Sequence, residues 1–337
     1  MAYRVPEHGW RSVLFKLTFF QSGDGVTCLI EIFLRSLPWR GTIVEIGLAK
    51  TDLAEIFLLK HGPEPPNIEP RNSVCAFRGI HFLEENCFVL GFEKREWVVE
   101  KGCVLLTERG RLHRYSHFRG VPPDIVLSVR FSPSLLECMR EELPAVRFSE
   151  LQSCIGIRND LRFLRWRLDR LPEQCRDFAT DEWVVDLVIA AYLNPPQAAS
   201  RNFPDVQLAS YAERIEAARE QLVTRFADEH RLRVLARNVG MSTFQFARVF
   251  REFVGFAPHQ YLLNVRHRAA FHMLLEGASV TDACFQSGFS NLSHFTREFT
   301  TRFGHRPSAV KTWPRDLRMQ RFTTTRLPEV RLRKSKT

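Results

Sequence analysis

"GFSNLSHFTREF" (residues 288–299) decides how the C-terminal third of this chain is read. A related stretch, "GMSTFQFARVF" (residues 240–250), begins 48 residues earlier. The likeness extends upstream. Ala236, Gly240 and Ser242 of "VLARNVGMS" (234–242) match Cys284, Gly288 and Ser290 of "DACFQSGFS" (282–290). Downstream, Phe246, Arg248 and Phe250 match Phe295, Arg297 and Phe299 with a shift of one, because the second copy carries an extra residue.

Each copy has what two short helices crossing at a tight turn require. A small residue on the first helix, Ala236 or Cys284, lets the second approach closely. The glycine between them admits the positive φ of the turn. Ser242 and Ser290 are expected to cap the second helix by accepting hydrogen bonds from its free N–H groups. Phe246, Phe250 and Phe253 recur at helical spacing, as do Phe295, Phe299 and Phe303, and form a buried face. Arg248 follows Phe246 by two residues, about 200° round a helix of 3.6 residues per turn, so it points outward. The same holds for Arg297. An outward arginine near the start of such a helix suits guanine edges or phosphates. The duplication therefore predicts two helix-turn-helix units that bind DNA.

Around them, Pro258 and Pro307 stand where helices can begin, and Gly240, Gly255, Gly277, Gly288 and Gly304 stand where helices end. The predicted helices span about 207–228, 231–239, 243–254, 258–276, 279–287, 291–303 and 307–312. The helix over 258–276 is about 28 Å long at 1.5 Å per residue. Successive major grooves on one face of B-DNA are roughly 34 Å apart, so a rigid helix of this length could hold both recognition helices in them.

Before this region the sequence changes character. "NPPQAASRNFPDV" (194–206) reads as a linker. Residues 74–131 contain short apolar runs at 87–92, 96–100, 103–107 and 124–131, separated by turn residues, and predict an antiparallel sandwich or barrel. Residues 1–60 are expected to add strands and a helix. Residues 133–143 and 158–193 read as helical. Trp183, Val184, Leu187, Val188 and Ala191 form an apolar stripe that either packs on the sheet domain or supports dimer contacts. The domains expected are 1–193, the linker 194–206, the DNA-binding helices 207–313, and a basic tail 314–337 expected to be disordered.

Charge follows the same division. The net charge is +10, but residues 1–206 carry 26 Lys and Arg against 27 Asp and Glu. Residues 207–313 carry 14 against 9, and residues 314–337 carry 8 against 2. The whole basic excess lies after residue 206, which points to a polyanionic partner for the C-terminal part.

These residues resemble the AraC/XylS family of bacterial transcriptional regulators. The likeness covers about 208–312 and is carried by "LARNVGMSTFQFARVFREFVGFAPHQYLLNVRHRAAFHMLLEG" and "VTDACFQSGFSNLSHFTREFTTRFGHRPSAVK". It implies seven helices and an activator that binds double-stranded promoter DNA and contacts RNA polymerase. The resemblance assigns DNA contacts to Thr243, Phe244, Gln245, Ala247 and Arg248 in the first unit, with Ser242 at the helix start. In the second it assigns Asn291, Leu292, Ser293, His294 and Arg297, with Ser290 at the start. Aromatic Phe244 and apolar Leu292 stand where polar or Trp residues are common, and both suit a thymine methyl or partial burial. A weaker resemblance over about 74–193, on "EKGCVLLTERGRLHRYSHF" and "DIVLSVRFSPSLLECM", is to the cupin-like ligand-binding domains of that family. The implied architecture is α+β and multidomain: an N-terminal cupin-like β-barrel or sandwich with following helices, then an all-α domain. The N-terminal domain is then either an effector sensor or a dimerisation module of a homodimer.

The remaining features bound other functions. A cupin-type metalloenzyme needs clustered ligands such as H-x-H. Here His61, His81, His113 and His117 form no such pair, so no metal, cofactor or catalytic residue is expected. The 8 cysteines contain no C-x-x-C and read as buried hydrophobes of a reducing cytosol. No run of 18 apolar residues and no signal-peptide pattern occurs, which predicts a cytoplasmic protein without a membrane partner.

Overall fold

The computed structural model describes residues 14–22, 25–33, 43–61, 71–92, 95–117, 124–142, 154–156, 158–171, 176–193 and 202–312, and structural statements here concern those residues. Most of the expected linker, at 194–201, and the basic tail lie outside them.

The N-terminal half is sheet-rich. Strands β1 (Leu14–Ser22) and β2 (Gly25–Phe33) pair only with each other. A six-stranded antiparallel sheet runs β12 (Cys154–Ile155), β9 (Val104–Thr107), β6 (Gly79–Glu85), β11 (Ile125–Phe131), β4 (Ala54–His61), β3 (Ile43–Lys50). A four-stranded sheet runs β5 (Arg71–Val74), β10 (Leu112–His117), β7 (Cys87–Phe92), β8 (Arg95–Glu100). The strands expected at 87–92, 96–100, 103–107 and 124–131 are present within a residue. Residues 1–60 contribute four strands and no helix among the described residues. The described strands form separate sheets with no pairing that closes a barrel, so of the barrel-or-sandwich expectation the sheets are present and the barrel is not.

Alternation along the central strands explains the layering. On β6, Ile80 and Phe82 face one side and His81 and Leu83 the other; on β11, Leu127 and Val129 oppose Val126 and Ser128. The first set forms a core with Trp183, Val184, Leu187 and Val188 of helix α3 (Arg176–Val188), which continues as a π-helical turn over Ile189–Leu193. Leu83 and Val126 pack with Phe88, Leu90 and Val99 of the four-stranded sheet. Both faces of these strands are covered, which accounts for their nearly continuous burial. The apolar stripe of α3 thus packs on its own sheet. Two further helices complete this half: α1 (Pro133–Glu142) and α2 (Asn159–Leu168).

The C-terminal region is helical: α4 (Asp205–Thr224), α5 (Leu232–Asn238), α6 (Thr243–Val254), α7 (Pro258–Leu275), α8 (Val280–Gln286), α9 (Leu292–Phe303) and a 3-10 turn over Pro307–Thr312. Helix α4 begins two residues before its expected start, inside the stretch read as linker. Two cores share α7. Tyr261, Leu262 and Val265, from its first half, pack with Phe246, Val249, Phe250 and Phe253 of α6. Ala270, Phe271 and Leu274, from its second half, pack with Ala283, Cys284, Phe295 and Phe299. One continuous helix thereby ties the two helix-turn-helix units together.

Helix α2 crosses between the halves of the molecule. Phe163 belongs to the first helix-turn-helix core, its ring 5.0 Å from that of Phe253. Arg167 pairs with Asp186 of α3 at 2.8 Å and with Glu216 of α4 at 3.3 Å. Arg219 pairs with Glu216 at 2.7 Å and donates to the Tyr261 hydroxyl at 3.2 Å. On its other side Arg165 forks onto Glu84 of β6 at 2.7 and 3.1 Å.

Candidate nucleic-acid interface

Both turns have the backbone that their glycines predict. Gly240 has φ 64° and Gly288 has φ 87°, in the left-handed region. The two sites differ in space. A Cβ on Gly240 would meet nothing within 4 Å, whereas one on Gly288 would lie 2.8 Å from the Ala227 carbonyl oxygen. The small residues beside the turns, Ala236 and Cys284, are fully buried.

The caps separate the copies. In α6, Ser242 is the N-cap and its Oγ accepts from the Gln245 N–H at 3.3 Å. In α9 the N-cap is Asn291, whose Oδ1 accepts from the His294 N–H at 2.8 Å. The expected cap Ser290 is exposed and stands one residue before Asn291. The reason is the extra residue of the second copy: it falls before the helix start, and Asn is as good a cap as Ser. Matching cap to cap brings Thr243 level with Leu292, Phe244 with Ser293, Gln245 with His294, and Arg248 with Arg297.

Phe246, Phe250 and Phe253 are at most 1% exposed, and so are Phe295 and Phe299. Phe303 is half-buried against the second core. With those faces inward, the opposite faces are open. Ser242, Thr243, Phe244 and Arg248 are exposed in α6, and Asn291, Leu292, Ser293, His294 and Arg297 in α9. Ala247 is half-buried. Phe244 is 81% exposed, an unusual state for a phenyl ring, while Leu292 is 37% exposed. Gln245 is half-buried, and its side-chain amide donates to the Tyr211 hydroxyl of α4 at 2.8 Å. That hydrogen bond orients Gln245 from behind; the sequence pattern carried no sign of it, because Tyr211 lies 34 residues away.

Arg248 and Arg297 have no hydrogen-bond or ion-pair partner among the described residues. Several other arginines of this region are engaged: Arg219 with Glu216, Arg231 with Glu229 at 2.8 Å, Arg266 with the Phe226 carbonyl at 2.7 Å, and Arg302 with Asn264 at 2.7 Å. His294 lies 4.0 Å from Glu298 and stays exposed. A different histidine serves the second core: His267, 3% exposed, donates from Nδ1 to the Leu263 carbonyl at 2.8 Å and packs on Phe289 and Phe295. Burial pushes its pKa down to about 4, so the ring is neutral there.

Elsewhere the described residues contain no group of three His, Cys, Asp or Glu side chains placed to hold a metal ion. No described helix is long and apolar enough to cross a membrane.

Comparison with known proteins fits this geometry. The family model described as a helix-turn-helix domain matches residues 235–312. The virulence regulon transcriptional activator VirF of Yersinia enterocolitica is 31% identical over 98 residues, 27% of this chain and 36% of that protein. The HTH-type transcriptional activator RhaS of Escherichia coli (strain SE11) is 32% identical over 105 residues, 31% of this chain and 38% of that protein. The chain thus spans little more than a third of the length of these curated relatives. Among solved structures, a probable AraC family transcriptional regulator from Rhodopseudomonas palustris CGA009 is 27% identical. That match covers 30% of this chain and 95% of the other, with a TM-score of 0.28.

Proposed function

We propose that the C-terminal domain of this chain is that of an AraC/XylS-family transcriptional regulator and that the protein is a sequence-specific regulator of transcription, an activator under effector control. Its two recognition helices, α6 and α9, enter successive major grooves of promoter DNA, held apart by α7. The observation that carries this is the matched pair Arg248 and Arg297: exposed, unpartnered among the described residues, and level with each other in two capped helices. Thr243, Phe244, Ser293 and His294 lie beside them and complete the DNA-facing surface, with Phe244 placed to meet a thymine methyl. The basic excess after residue 206 supplies the attraction to phosphates. Contact with RNA polymerase, a cytoplasmic location and a non-catalytic N-terminal domain, 1–193, belong to the same proposal.

Selection of bound sequences from random DNA tests it. The expected product is a bipartite motif whose halves are about 10–10.5 base pairs apart, one helical turn. Failure to enrich any motif, or enrichment of one half alone, overturns the two-groove reading.

The tail makes a separate prediction. Deleting 314–337 removes 8 basic and 2 acidic residues. The plot of log affinity against log salt is expected to flatten by about 0.9 for each phosphate that the tail neutralises in the full chain. An unchanged slope, measured by fluorescence anisotropy from low to moderate salt, excludes a role for the tail in DNA binding.

A further inference from the structure

Between the six-stranded and four-stranded sheets lies a cavity of about 230 Å³, walled by β4, β6, β9 and β11 on one side and by β7 and β10 on the other. We propose that this cavity binds a small, uncharged aromatic molecule of one or two rings.

Size sets the first limit. An apolar cavity of about 150 Å³ is enough to admit benzene, so this one has room for one or two rings. The wall sets the second. The "LHRYSH" of β10 alternates, so His113, Tyr115 and His117 all face inward, as do Phe88 and Phe92 of β7. Tyr115 and His117 meet edge to face, with centroids 5.9 Å apart, and Phe88 lies 6.0 Å from His117. Such rings offer faces and edges that favour an aromatic guest in offset or edge-on geometry.

Charge sets the third limit. The lining holds two carboxylates, Glu108 and Asp124, against one guanidinium, Arg111. Glu108 is bound by Arg78, and Asp124 accepts from His117 Nε2 at 2.6 Å. Arg111 lies over the Phe92 ring, 3.4 Å from its centroid. Both ring nitrogens of His81 are occupied, by Ser128 at 2.9 Å and Thr107 at 2.8 Å. His113 Nδ1 meets the Cys75 thiol at 3.3 Å. Burial keeps His81 and His113 neutral by lowering their pKa values. A carboxylate on the guest would therefore be stripped of water and set before a wall with no net positive charge. His81 and His113 are wall rings, each engaged by a neighbour.

The regulatory consequence, an effector that acts on DNA binding, rests on the function proposed above; occupancy of the cavity does not. The test uses the full chain, with indole, phenol and naphthalene as neutral probes and benzoate as the charged one. Titration calorimetry is paired with N-ethylmaleimide labelling of Cys75, which lines the cavity, and of Cys87, which does not. At least one neutral arene is expected to bind saturably at one per chain. It should slow Cys75 alkylation without changing that of Cys87, and benzoate should bind about tenfold more weakly or less. Absence of saturable binding by all three neutral arenes overturns the proposal. So does benzoate binding as tightly as the best of them, or a bound arene that leaves Cys75 unprotected. DNA affinity of the same preparation, measured without arene, reports on the other reading: intact DNA binding with an empty cavity sinks this proposal alone.

Discussion

Replacing Arg219 by alanine is expected to cost about 3–5 kcal/mol of unfolding free energy, the usual penalty when one partner of a buried ion pair is removed. Arg219 is 8% exposed and sits where α3, α4 and α7 meet. Its guanidinium holds Glu216 from two nitrogens, at 2.7 and 2.9 Å, and donates to Tyr261. Removing it leaves the Glu216 carboxylate in a poorly solvated site with Arg167 as its remaining partner at 3.3 Å. Burial pushes the pKa of Glu216 up, but Arg219 and Arg167 together bring it below the usual carboxylate value. The sign of the pH effect follows. A lowered folded-state pKa contributes stability above the unfolded value, and that contribution disappears as pH falls through the folded value. Without Arg219 the folded value rises, so acid unfolding should begin at higher pH. Urea melts at neutral pH and an acid titration followed by circular dichroism measure both effects. The double variant Arg219→Met with Glu216→Met should recover part of the stability, because the Glu216 carboxylate is no longer left buried and Arg167 keeps Asp186 as its partner. A single-variant cost below about 1 kcal/mol would show that the cluster is not a stabilising element of this junction.

This junction is also where the sequence was least legible. In "RNDLRFLRWRLDR" (158–170) the arginines suggest a solvated helix, and nothing local says that Phe163 docks on α6, far along the chain. Arginine is seldom buried, so Arg167 and Arg219 read as surface until their partners on other elements are seen. The strand β10 was obscured for a related reason. Its inward positions are His113, Tyr115 and His117, which line a cavity rather than a dry core, so the usual apolar alternation is missing. By contrast, the C-terminal helices from α5 onward were readable to within about a residue, while α4 was displaced by two residues at its start and four at its end. Pro258, Gly255 and Gly304 act through local backbone geometry, and the phenylalanine rows have a single period. The cap of α9 shows the limit of that local logic. Ser290 and Asn291 are both competent caps, and only the path of the chain after Gly288 selects Asn291.

The largest effect on DNA binding is expected from Arg248→Ala combined with Arg297→Ala. Removing a bidentate hydrogen-bonded pair to a base costs about 1–3 kcal/mol. The two arginines lie in separate helix-turn-helix units, each with its own core, and share no partner, so the costs should add. The double variant is then weaker by about 2–6 kcal/mol, from roughly thirtyfold to over ten-thousandfold in affinity. Stability should be nearly unchanged, since both side chains are exposed and unpartnered among the described residues. A thermal melt therefore distinguishes a damaged interface from a damaged fold. The lysine variants sharpen the assignment, because lysine keeps the charge but not the planar fork. If Arg248 and Arg297 read bases, each Arg→Lys protein should keep its salt slope yet lose preference at one base pair of the half that its own helix reads. If they hold phosphates, the alanine variants should weaken binding to all sequences alike and reduce the slope by about one unit each. A double alanine variant that binds its selected DNA within about twofold of the parent would remove these residues from the interface, and the groove assignment of α6 and α9 with them.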